Sequence, residues 1–196
     1  MSQEIEIEFK QLLTYSQFEA LKARYAKGAP SFPQENHYFE TEELSFATKK
    51  AALRVRAKKD RFTLTLKEPH KDGLLETHQT ISKGQFDQII TTSELPTGEV
   101  LDQVTVLLGS EPSVNYLGSL KTDRIEVELP EGIFVLDHST YANTEDYELE
   151  FECTSKEEGR LFFESLLKEF DITHQEPLNK IQRFYEATYK KGGKQW

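Results

Sequence analysis

The chain has 196 residues, 37% hydrophobic and 30% charged, with a formal net charge of −10. That length supports a substantial core in one large domain or two small ones, and the acidic balance argues against a general nucleic-acid or membrane-surface binder. A lone cysteine, Cys153, excludes an intrachain disulfide and points to a reducing compartment.

The first element is EIEIEFK (4–10), in which Ile5, Ile7 and Phe9 alternate with Glu4, Glu6, Glu8 and Lys10. A period of two predicts a strand with one apolar and one charged face. Its three carboxylates then lie about 7 Å apart along one face, where they repel one another. Because a strand begins at once, no signal peptide is expected, and no apolar run is long enough to span a bilayer. The expected location is the cytoplasm.

A helix is predicted over 16–28, with Phe18, Leu21 and Tyr25 in phase and Gly28 as its stop. Two basic strands follow. LRVRAKK (53–59) sets Arg54, Arg56 and Lys58 on one face, and RFTLTLK (61–67) sets Arg61, Thr63, Thr65 and Lys67 on one face. The KKDR junction makes them a hairpin. A third strand, 74–82, carries Glu76, His78 and Thr80 in phase. Helices are predicted over 82–92, capped by Ser82, and over 99–108. DRIEVEL (123–129), GIFVLD (132–137) and YELEFE (147–152) read as strands, the last with Glu148, Glu150 and Glu152 on one face. A helix over 155–170 opens on a Ser155/Glu158 capping box, with Leu161, Phe162, Leu166 and Phe170 as its stripe. A final helix over about 178–190 has Asn179 as its cap. We expect a single domain over 1–190, with 191–196 as a flexible tail.

Solvated charge normally mixes signs within a strand. Here the acidic strands (4–10 and 147–152) and the basic strands (53–58 and 61–67) are segregated. The amphipathic helices also need an apolar surface to cover. One arrangement meets both demands: a sheet curled so that its polar face lines a lumen, with helices on its apolar outside. The alternative is an ordinary sheet whose charged faces are solvated. In a lumen, a divalent cation would pair the carboxylates, and a polyanion would pair the Arg and Lys rows. All-oxygen ligation suits magnesium or manganese, and arginines at i and i+2 suit successive phosphoryl groups.

The five histidines lie on separate segments without zinc spacing, and no P-loop or Gly-rich nucleotide fingerprint is present. Cys153 reads as a small buried hydrophobe, and Tyr38 and Phe39 as core.

EIEFK (Glu6, Glu8, Lys10) resembles the ExExK signature of the CYTH superfamily, also called triphosphate tunnel metalloenzymes. An ordered set extends the resemblance over nearly the whole chain: HYFETEEL (37–44), Arg54 and Arg56 of ALRVR, Lys67 of TLK, Lys121 and Arg124 of KTDR, Asp137 of VLD, YELEFE, and Lys180 and Arg183 of NKIQRF. It is most like small stand-alone bacterial CYTH proteins. The resemblance implies an α+β fold, an antiparallel eight-stranded barrel with helices packed outside.

It also implies Mg2+ or Mn2+ on Glu6, Glu8, Asp137, Glu148, Glu150 and Glu152. Which two of the last three glutamates bind metal stays open. Glu76 would bind metal or orient an arginine. Phosphate would be held by Lys10, Arg54, Arg56, Lys67, Lys121, Arg124, Lys180 and Arg183. Glu6, Glu8, Lys10 and Arg56 would carry catalysis. The implied activity is hydrolysis of inorganic triphosphate or another triphosphorylated small molecule, by a monomer or homodimer, with no nucleic-acid polymer or membrane as partner. Alternatives are an adenylyl cyclase, a thiamine triphosphatase and a non-catalytic polyphosphate or nucleotide sensor.

Overall fold

Every alternating segment becomes a strand in the computed structural model, which describes residues 2–189. The strands are β1 (Gln3–Leu13), β2 (Ser31–Glu40), β3 (Ala52–Lys58), β4 (Arg61–His70), β5 (Gly73–Ile81), β6 (Asn115–Leu129), β7 (Gly132–Tyr141) and β8 (Thr144–Cys153). They close an antiparallel barrel in the order β1-β5-β4-β3-β2-β6-β7-β8. The opening strand is the seam. Its first half pairs β5, from Gln3 opposite Thr77 to Glu6 opposite Leu74. Its second half pairs β8, from Ile7 opposite Cys153 to Leu13 opposite Tyr147. Partners directly across a ladder share a face, so Glu8 meets Glu152 and Lys10 meets Glu150 inside the lumen.

The helices are α1 (Tyr15–Tyr25), α2 (Ser45–Thr48), α3 (Lys83–Thr92), α4 (Glu99–Leu108), α5 (Lys156–Glu169) and α6 (Lys180–Tyr189). Packing on the barrel's outside makes two cores. Under α3 and α4, the outer face of the basic hairpin contributes Leu53, Val55, Leu64 and Leu66, all fully buried. Under α1 and α5 lie Phe134, Leu136, Leu149 and Phe151. Each such side chain contributes about 1.5–3 kcal/mol of burial. None of the described helices is long and apolar enough to cross a membrane.

A third cluster faces inward. Ile181 and Phe184 of α6 pack on Tyr38, Leu120 and Tyr141 at one end of the lumen. Gly118 permits this approach. Its φ is +127°, and a Cβ there would lie 2.9 Å from the Phe184 ring. Asn179 caps α6 as expected, its Oδ1 accepting the Gln182 N–H at 2.9 Å.

Several local expectations shift. No strand is assigned over 31–40 from sequence, yet β2 forms there, because its lumen face is polar (Gln34, Asn36) and hides the usual alternation. α1 stops at Tyr25 with Ala26 as its cap, and Gly28 serves the following turn at φ +79°. The α5 stripe is rotated: Phe163 and Leu167 are buried, whereas Leu161 is 55% exposed. Ser155 Oγ accepts the Glu158 N–H at 3.4 Å, which is the forward half of the expected capping box. Cys153 is only partly buried, against the outer core. The expected flexible tail, 191–196, lies outside the described residues.

Candidate active site

Polar faces of β1, β2, β3, β4, β5, β6 and β8 line the lumen. A cavity of about 240 Å³ there is lined by both rows read from the sequence: Glu6, Glu8, Lys10, Glu148, Glu150 and Glu152 from the acidic strands, and Arg54, Arg56 and Lys67 from the basic hairpin. At one side Lys67 bonds Glu6 at 2.6 Å and also pairs with Glu76. Burial opposes the Lys67 charge, as does Arg54, but Glu76 and Glu6 outweigh both and raise its pKa. Lys10 bonds Glu8 at 2.8 Å. His78 lies 3.1 Å from Glu4 and 3.3 Å from Glu76 and meets the Thr65 hydroxyl at 3.0 Å.

The deepest part is an ion-pair hub. Arg124 grips Asp137 with two bonds, Nε to Oδ1 at 2.7 Å and Nη2 to Oδ2 at 2.6 Å, and reaches Glu150 at 2.6 Å. Asp137 is completely buried. Lys180, the first residue of α6, stands 2.8 Å from Asp137 and also pairs with Glu148 and Glu150. One turn on, Arg183 bonds Asp146 at 3.0 Å and both Glu148 oxygens at 3.1 Å. Burial disfavours the Glu150 charge, yet Lys180 and Arg124 hold its carboxyl well below the usual range. Burial opposes the charges of Arg124 and Lys180, but Asp137 and Glu150 raise Arg124, and Asp137, Glu148 and Glu150 raise Lys180.

The opposite wall is unbalanced. Among the described residues neither Arg54 nor Arg56 forms an ion pair; Arg56 Nε donates to Asn36 Oδ1 at 3.4 Å, and Arg54 Nε is buried without a partner. The charge of Arg54, then burial, pushes the Arg56 guanidinium down to about 10. Glu76 attracts both guanidiniums and Glu150 attracts Arg56, but none of these carboxylates pairs directly with them, and an anion would supply that contact. Glu152 shows the converse. Burial, with the charges of Glu6, Glu150 and Glu8 outweighing Arg124, pushes its carboxyl up to about 7.

That shift has a stability consequence. The folded pKa of Glu152 lies above its ordinary 4.5. Its contribution is therefore complete below about pH 4.5 and is lost as pH rises through 7. Replacing Glu152 by Gln in chelator-treated protein should raise the melting temperature at pH 8 by about 3–6 °C, from roughly 1–2 kcal/mol. The variant should also flatten the slope between pH 5 and 8. Parallel melting profiles for variant and parent would show that Glu152 titrates normally.

A divalent cation fits this donor set. One oxygen each from Asp137, Glu148 and Glu150 lies within 4.8 Å of the others, and so do ligand atoms of Glu4, Glu76 and His78. The all-carboxylate Asp137–Glu148–Glu150 group matches a hard divalent cation, whereas the other includes a histidine nitrogen. Not every residue singled out from the sequence joins the lumen. Lys121 is exposed on the outer face, opposite Glu35 and Thr140. Arg183 pairs with Glu148 from α6 without lining the cavity, and Asp137 lies behind the lining, held by Arg124. Glu76 pairs directly with Lys67 and His78, and its charge also acts on Arg54 and Arg56. Sequence reading passed over Asn36, Lys50 and Glu126, all of which line the cavity, and Tyr38, assigned to the core, lines it too.

A closed antiparallel barrel whose lumen sets a carboxylate wall against a guanidinium wall defines a tunnel for a cation-bound polyanion. The CYTH domain model matches residues 4–185, and the chain belongs to that family. A Bacillus subtilis protein named "Putative triphosphatase YjbK" is 46% identical over 191 residues, 97% of this chain and 99% of the relative. A Bacillus halodurans crystal structure, described as "a putative adenylate cyclase", is 41% identical with a TM-score of 0.88, over 94% of this chain and all of that one. A Hippeastrum structure described as a "putative adenylyl cyclase" that "reveals a dominant" triphosphatase activity shares the fold. It is 24% identical with a TM-score of 0.78, over 94% of this chain and 97% of that one.

Proposed function

We propose that this chain is a divalent-cation-dependent phosphohydrolase that cleaves the terminal phosphoanhydride of inorganic triphosphate or of a triphosphorylated small molecule. The observation that carries the reading is the half-buried Arg54–Arg56 pair, without a direct ion-pair partner among the described residues, facing a carboxylate wall across one cavity. The name of the Bacillus subtilis relative supports the same activity. In this reading the chain acts as one CYTH domain.

Lys10, Arg54, Arg56, Lys67, Arg124 and Lys180 hold the phosphoryl oxygens, and Arg183 fixes Glu148. Glu6, Glu8, Glu148, Glu150 and Glu152 form the acidic wall, with Asp137 behind it, that would hold magnesium or manganese. A cation bound there supplies charge neutralisation and a water acidified toward attack. Arg54 and Arg56 spread the charge that gathers on the equatorial oxygens of the transferring phosphoryl group. The barrel walls hold that group in line with the attacking water. Lys121, on the outer face, has no part in this scheme.

Replacing Glu6 or Glu8 by Ala should weaken magnesium dependence at least about 100-fold and lower turnover with it. Hydrolysis assayed across a magnesium titration checks this. Normal turnover of the Glu6→Ala protein at subsaturating metal would remove the first strand from the cation site.

A further inference from the structure

The cationic row does not end at Arg54. Lys50, Ala52, Arg54 and Arg56 all line the same cavity, at alternate positions leading into and along β3. Lys50 precedes the strand and sits at φ +56°, in the left-handed region. Its backbone occupies the position after α2 where two bonds close the turn: Lys50 N–H to Ala47 O at 2.9 Å and Ala51 N–H to Phe46 O at 2.8 Å. Glycine is the usual occupant of that position, because a side chain there is strained.

The turn is also fixed from its other end. Buried Glu40 accepts the N–H groups of Thr41, Phe46 and Ala47 at 2.8–3.0 Å. A rigid backbone therefore presents a lysine, where glycine would be unstrained, to the lumen. Lys50 is exposed, and no carboxylate among the described residues pairs with it. It stands at the α6 end of the lumen, since the neighbouring Ala52 packs against the cluster that holds Ile181 and Phe184 of α6.

We propose that Lys50 is a further substrate-positioning residue. It grips the end of the polyanion that extends past the section held by Arg54 and Arg56, and so favours a triphosphate over a shorter phosphate chain. This rests on the hydrolase reading above.

The test uses Lys50→Gly, which relieves the strained backbone, and Lys50→Arg, which keeps the charge. Lys49→Ala is the control, because Lys49 lines a separate outer cavity and removes an equal charge one residue away. Each protein is assayed with magnesium and inorganic triphosphate, and with pyrophosphate as a competing ligand. Loss of one partly solvated charged contact should raise KM for triphosphate about threefold to tenfold in Lys50→Gly. Pyrophosphate inhibition should move less than twofold, Lys50→Arg should recover KM, and Lys49→Ala should match the parent.

An unchanged KM in Lys50→Gly overturns the assignment. So does an equal loss for pyrophosphate, or an equal effect in Lys49→Ala, because either would mark a diffuse field rather than a grip. If the parent protein neither binds nor hydrolyses triphosphate, the hydrolase reading itself fails and the Lys50 assignment falls with it.

Discussion

Replacing Arg56 by Ala should lower kcat for triphosphate hydrolysis by about 10²–10³-fold, the scale for one preorganised group aimed at developing charge. The melting temperature of the ligand-free protein should not fall. Arg56 is half-buried beside Arg54, and that like charge, then burial, pushes its guanidinium down to about 10. Removing it relieves that repulsion inside the folded protein, against which stand the attraction of Glu76 and Glu150, the Asn36 hydrogen bond and the packing of its stem; the lowered pKa shows that repulsion and burial outweigh the attraction. Activity and stability therefore move in opposite directions at this position. Steady-state kinetics and a thermal melt of one variant check both. A variant that loses activity and melts well below the parent would make Arg56 a structural residue.

Asp137 has the opposite character. It is fully buried and takes two bonds from Arg124 and one contact from Lys180. Asp137→Ala leaves those cations short of a partner in a dry site, which costs about 3–5 kcal/mol. For a chain of this length that lowers the melting temperature by about 10 °C or more. Asp137→Asn, which keeps an acceptor oxygen, should lose less. Replacing Asp137 and Arg124 together by Leu and Met should recover most of the stability while leaving the protein inactive, because a buried ion pair is costly to break but not to replace whole. Thermal melts of the four proteins test the pattern. Equal melting for Asp137→Ala and the parent would show that Glu148 and Glu150 alone balance the hub.

Strand periodicity made most of this barrel legible. Wherever one face is apolar and the other charged, as in β1, β3 and β8, the alternation located the strand and the lumen-facing set together. It failed for β2, whose inward face is Gln34, Asn36, Tyr38 and Glu40, buried but, Tyr38 apart, polar. Burial of polar groups inside a tunnel erases the signal that periodicity reads. Lys121 was misplaced for a different reason. It lies three residues from Arg124, and an odd spacing on a strand sends two side chains to opposite faces. Lys180 and Arg183 have the same spacing on a helix, where it brings them together, and both reach Glu148. Lys50 was invisible because its placement comes from a left-handed turn rather than from the strand that follows.

The ion pairs across the seam were legible only as a question. The glutamates of β1 repel one another in sequence, and the barrel answers by setting Lys67 and Lys10 among them. The balance between Arg124, Lys180 and the β8 carboxylates depends on three elements far apart in the chain, and no local pattern encodes it.

The most direct measurement is product identity. The protein is incubated with magnesium or manganese and, separately, with inorganic triphosphate, ATP and thiamine triphosphate, and phosphate, pyrophosphate and cyclic AMP are assayed. Orthophosphate should be released fastest from inorganic triphosphate or from one of the triphosphorylated compounds, with no cyclic AMP. Pyrophosphate together with cyclic AMP from ATP would make the tunnel a cyclase. A melting shift with triphosphate but no product from any substrate would make it a sensor, and either result would contradict the hydrolase.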